Sequence, residues 1–117
     1  MYHIFYLFRV QRKNVDRFLQ IAGDAGVIYR QHGAVATAIL RLTDGSDKYG
    51  CLGLAGQVQT SPEEQLFLGI DSFRDAEQLR TLTARIDSDP RIQKLFKEIQ
   101  EVVDLRKAIR WEAEDAT

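Results

Sequence analysis

MYHIFYLFRV (Met1–Val10) alternates like a β-strand yet carries apolar side chains on both faces. Tyr2, Ile4, Tyr6, Phe8 and Val10 share one side, and His3, Phe5, Leu7 and Arg9 the other. A strand of this kind belongs in the middle of a sheet covered on both sides. QLFLGID (65–71) repeats the pattern, with Leu66, Leu68 and Ile70 opposed to Phe67 and Gly69. The last strand, about 106–113, differs: Ile109, Trp111 and Ala113 alternate with Arg110, Glu112 and Glu114, as at a sheet edge with one wet face. Residues 34–42, AVATAILRL, supply a second strand.

Helical spacing fills the intervals. From an Asn14 N-cap, Val15, Phe18, Leu19, Ala22, Ala25, Gly26 and Tyr29 form an apolar stripe, with Ile21, Ile28 and His32 along its flank. Gly33 stands where a left-handed C′ residue is wanted. Ser72 with Asp75 suggests a capping box for a second helix, whose inner face is Ala76, Leu79, Thr83 and Ile86. SDPRI (88–92) restarts the helix, with Ser88 or Asp89 as cap and Pro90 at the first position. Ile92, Leu95, Phe96, Ile99, Val102 and Val103 then make a clean stripe. Asp44-Gly45 marks a turn, and the Gly-rich stretch 45–56 reads equally as a lid or binding loop or as a short extra strand or hairpin.

The order β-α-β-β-α-α-β is the split βαβ, or ferredoxin-like, pattern of an α+β fold in one domain, 1–117. Helices cover only one sheet face. The other apolar face calls for a second copy of the sheet, so a homodimer joined through sheet faces is expected. The net charge of −1 gives no attraction to nucleic acid or to an anionic membrane surface. No stretch approaches the ~20 apolar residues of a membrane span. Met1–Val10 lacks the basic flank and cleavage site of a signal peptide, and the single cysteine fits a reducing compartment. A cytoplasmic protein is expected.

FLQIAGDAGVIYRQHGA (18–34), LFLGIDSFRDAEQLR (66–80) and DSDPRIQKL (87–95) resemble the dimeric α/β-barrel superfamily. Within it the chain is similar to the small YbaA-like branch of unknown function and, more loosely, to NIPSNAP-like proteins. The likeness spans about residues 2–95 and rests most on His32-Gly33-Ala34 and Asp89-Pro90; the Gly-rich stretch after Asp44 departs from it. It implies a dimeric barrel fold. The superfamily includes cofactor-independent monooxygenases, haem-degrading enzymes, small isomerases and members without known activity.

No metal and no cofactor are expected, because His3 and His32 lie on different elements and no ligand spacing joins them. GCLGLAG (50–56) is not a phosphate cradle: it opens no helix and lacks the P-loop lysine. Cys51 reads as a small buried or half-buried residue rather than a nucleophile. VIYRQHGA (27–34) is first a helix end, with His32 at its C-terminal pole, and second the rim of a site. If a ligand site exists, it lies between the first helix and the sheet, with Tyr29 and His32 at its rim and Arg9 or Asp71 deeper. Arg9 and Asp71 are expected at the same end of two parallel central strands, close enough to pair. Three functions compete: a binder of an apolar or aromatic small molecule, a cofactor-independent monooxygenase or isomerase, and an interaction module without a ligand.

Overall fold

The computed structural model describes all residues, Met1–Thr117. Its elements are β1 (Tyr2–Gln11), α1 (Val15–His32), β2 (Ala36–Arg41), β3 (Glu64–Phe73), α2 (Ala76–Asp87), α3 (Pro90–Ile99) and β4 (Ile109–Glu114). The sheet order is β2-β3-β1-β4, so the two doubly apolar strands are central. Every pairing is antiparallel. No helix is long and apolar enough to cross a membrane.

The helix ends follow their residues. Gly33 adopts φ 116°, and its N–H returns to the carbonyls of α1's last turn. The Asp75 side chain accepts from Gln78 N, so Asp75 alone is the N-cap of α2. Ser72, expected to share that role, instead lies within β3, buried, with its hydroxyl 2.8 Å from His3 Nδ1. Asp89 caps α3, and Pro90 holds its first position, separating α2 from α3. Asn14 precedes α1, but its side chain makes no capping bond, because a short 3-10 turn over Arg12–Asn14 leads into the helix.

The helix side of the sheet carries two separate clusters. Phe8, Val10, Phe18, Ile21, Phe67, Val102 and Val103 fill one end. Ile4, Ala34, Phe73, Leu79, Leu82 and Ile86 fill the other. Leu82, not Thr83, completes the inner face of α2; the Thr83 hydroxyl donates to Leu79 O, 2.7 Å away. α3 ends at Ile99, and Val102 and Val103 pack from the segment beyond it.

The opposite face lacks a layer of helices. Leu7 and Leu66 are covered by Val58, from the segment between β2 and β3. Leu40, Ile109 and Trp111 stay 40–49% exposed, and the Trp111 ring stacks on Phe5 at 5.2 Å. Every residue of β4 is exposed, including those expected on its dry face. The Gly-rich stretch is neither a strand nor a free lid. It is a folded-back loop with one bridge, Lys48 to Cys51, across the positive-φ pair Tyr49-Gly50. Gly53 lies against the Gly45 carbonyl and the Ser46 backbone so closely that any Cβ there would overlap them. Cys51 is exposed, contrary to expectation, because this loop holds it away from the core.

Candidate functional site

Between the two clusters the helix–sheet interface is underfilled. A cavity of about 420 Å³ lies there, within the ordinary size range of small-molecule sites. Its ceiling is the small-residue face of α1, Ala22, Ala25 and Gly26, which brings backbone rather than bulk toward the sheet. Its floor is β1 and β3, where Tyr6 pairs with Gly69. The missing side chain at Gly69 leaves the floor open. The atoms nearest to a Cβ there would be Ile39 Cδ1 and Phe8 Cε2 at 3.4 Å and Tyr6 Cβ at 3.7 Å, ordinary van der Waals contacts. α3 forms the third wall with Ile92, Leu95, Phe96 and Ile99. The part of the apolar stripe that lies within α3 thus buries no residue completely, and Phe96 is 56% exposed.

Polar groups in this lining are few, and most are occupied. The Tyr6 hydroxyl accepts from Arg110 Nε at 3.3 Å, and Arg110 also pairs with Glu112 at 2.8 Å. Thr37 Oγ1 accepts from Arg30 Nη1. Asp71 and Tyr29 remain. Neither the Asp71 carboxylate nor the Tyr29 hydroxyl has a hydrogen-bond or ion-pair partner in the chain, and both line the cavity. Burial pushes the Asp71 carboxyl up to about 6. Burial, with the Asp71 charge next in weight, raises the Tyr29 phenol above its ordinary range. At neutral pH the same cavity lining therefore holds a proton acceptor and a proton donor.

Two of the four candidate residues come together here and two do not. His32 lies outside the lining: its Nε2 is 2.8 Å from Asp89 Oδ2. Asp89 also accepts from Arg91 N and from Arg91 Nη2, at 2.9 and 2.8 Å. Hydrogen bonds from Arg91, then from His32, hold the Asp89 carboxyl far below the usual carboxylate range. This knot ties the end of α1 to the start of α3. Changing His32 to alanine is expected to lower stability by about 1–2 kcal/mol, the loss of one hydrogen bond to a charged partner. Ligand uptake by the cavity should be unchanged; urea unfolding and a binding titration on that variant test both halves.

Arg9 is not beside Asp71. The central strands are antiparallel, Asp71 pairs with Ile4 and Arg9 with Leu66, and alternation puts Arg9 on the opposite sheet face. Arg9 Nε is buried there without a partner, next to a separate polar cleft that includes Lys13 and Glu64. No three His, Cys, Asp or Glu side chains are arranged to hold a metal ion. Sequence reasoning missed Gly69 and the α3 wall as cavity makers. A lone glycine in an apolar strand was the available signal, since it marks room left for something else.

The overall architecture recurs in proteins of very different sequence. A NIPSNAP domain protein from Burkholderia xenovorans aligns over 100% of this chain and 96% of its own, with TM-score 0.64 and 16% identity. A putative antibiotic biosynthesis monooxygenase from Nitrosomonas europaea aligns over 100% of both chains, with TM-score 0.66 and 8% identity. Protein Atu4242 from Agrobacterium tumefaciens covers 99% of this chain and 94% of its own, with TM-score 0.62 and 14% identity. Likeness at such identities establishes the ferredoxin-like fold and leaves activity to the site. No curated protein matches the chain. The family profile for DUF1428 matches residues 1–104, and the chain belongs to this family of proteins of unknown function.

Proposed function

We propose that the protein is a cytoplasmic homodimer that binds a small apolar or aromatic molecule in the cavity between α1, α3 and the sheet. One observation carries the binding reading: an apolar cavity of about 420 Å³ in which a carboxylate and a phenol both lack partners. Unpaired polar groups in such a place cost stability unless a ligand or water completes them. An interaction module without a ligand would have a filled core here. The dimer reading is supported by the uncovered sheet face, where Leu40, Ile109 and Trp111 stay exposed. A sedimenting monomer at micromolar concentration would remove that part.

Two measurements test the cavity. Mass spectrometry of freshly purified protein should detect a released organic molecule. N-phenyl-1-naphthylamine, a neutral fluorescent probe, should brighten on binding. Gly69→Leu projects a side chain into the cavity from its floor, and its affinity for the probe should fall at least roughly tenfold, about 1.4 kcal/mol. Equal probe uptake by the variant and the parent would refute this assignment of the site. The second reading, an enzyme of the cofactor-independent monooxygenase or isomerase kind, is favoured by the unpaired Asp71 and Tyr29 in one cavity lining.

A further inference from the structure

We propose that Asp71 is a general base, and that the cavity catalyses a 1,3-proton shift, such as keto–enol tautomerisation, in an apolar carbonyl compound whose oxygen is held by the Tyr29 hydroxyl. The proposal rests on the cavity being a ligand site, as read above.

Asp71 projects from a central strand into an apolar chamber, beside the gap left by Gly69. From β1 and β4 the nearby titratable groups are Tyr6 and Arg110, and Arg110 is already engaged by Tyr6 and Glu112. From α1 they are Tyr29 and Arg30, and Arg30 is turned to Thr37. The end of α2 places Asp87 near enough to act on Tyr29. β2 and α3 contribute only Thr37 and apolar side chains to the lining. No cation pairs with Asp71, so burial leaves its carboxylate poorly stabilised and correspondingly basic, with the pKa raised to about 6. An acid of that strength is largely ionised at neutral pH and still returns a proton readily.

Tyr29, in the same lining, selects the ligand chemistry. A purely cationic ligand would use Asp71 and leave the phenol idle. A carbonyl compound uses both groups. Asp71 takes the proton from the carbon next to the carbonyl, and the C–H electron pair becomes the new C=C bond. The carbonyl π pair moves onto oxygen, where the Tyr29 O–H hydrogen bond stabilises the developing negative charge. Protonated Asp71 then returns its proton to the oxygen, giving the enol, or to the γ carbon of a conjugated substrate. Atoms and electrons balance within the substrate and the carboxyl group, and no co-reactant is required.

The experiment uses 1-phenylbutane-1,3-dione, an aryl diketone whose keto and enol forms differ in ultraviolet absorbance. Its binding is followed separately by quenching of protein fluorescence. Wild-type protein should accelerate interconversion at least tenfold over buffer, with a rate that rises through about pH 6 to a plateau. Asp71→Asn should bind the diketone within about threefold of wild type but lose roughly 10²–10⁴-fold of the protein-dependent rate. Tyr29→Phe should lose roughly 10²–10³-fold and keep the pH profile. Binding of the diketone without acceleration, or full acceleration by Asp71→Asn, overturns the base assignment while leaving the cavity a binding site. Uptake of N-phenyl-1-naphthylamine, or of an arylalkylamine, with exclusion of the diketone overturns the substrate class. Failure of the naphthylamine itself to bind is the separate failure of the binding reading.

Discussion

Asp71→Asn is expected to make the protein more stable than its parent at pH 7, and the advantage should vanish near pH 3.5. The folded-state carboxyl sits at about 6 against an ordinary value of 3.8, raised by burial. Below the unfolded value both states hold the proton and the group contributes nothing to pH dependence. Between the two values the unfolded chain ionises first, so stability falls as pH rises, and the loss is complete once the folded carboxyl ionises too. A shift of this size corresponds to a loss on the order of 3 kcal/mol. The amide cannot ionise, keeps the shape, and removes only this term. Carboxylates such as Asp89, whose folded values are lowered, act in the opposite direction but are common to both proteins. Urea unfolding of the pair between pH 3.5 and 7.5 measures the difference directly. A difference that stays flat would mean that Asp71 is paired or hydrated in solution and is not a general base.

Phe67→Ala should cost about 3–5 kcal/mol, among the largest effects expected of a single truncation in the chain. Phe67 is 1% exposed on central strand β3. Its ring lies 5.1 Å from that of Phe18, and the Arg41 guanidinium sits over it at 5.2 Å. Truncation would empty the middle of the cluster that also holds Phe8, Val10 and Ile21. Small domains have only about 5–15 kcal/mol of stability in total, so the variant should melt on the order of 15 °C lower. Phe96→Ala is the informative partner. Phe96 belongs to the most regular apolar stripe in the sequence, yet it is 56% exposed at the cavity wall. Its loss should cost no more than about 1 kcal/mol. Thermal melts that rank the two alike would show that α3 packs as core and that the cavity is closed in solution.

The contrast between these phenylalanines shows where sequence reading succeeds. Periodicity reports which side chains avoid water, and on that basis β1 and β3 as central strands, the Gly33 stop and the break at Pro90 were all legible. Each depends on neighbours within a few residues. Periodicity cannot report whether an apolar face meets another surface at full density. Ile92, Leu95, Phe96 and Ile99 carry the same signal whether they fill a core or line a cavity. The candidate site divides along the same line. Tyr29 and Asp71 were identifiable as polar residues on apolar faces, and the fold brings them to one chamber. His32 carried an equal signal, but its partner Asp89 is 57 positions away in the chain. Arg9 was misplaced because strand direction, not strand content, decides which ends meet, and direction belongs to the sheet. The sequence by itself thus determined the elements, the helix ends at Gly33 and Asp89-Pro90 and the two-sided central strands, since these follow from local backbone chemistry and alternation. Only the tertiary structure decided that two separate cores leave a gap over Gly69 and that Asp71 and Tyr29 face it unpaired, because packing density and partnership are properties of residues distant in the chain.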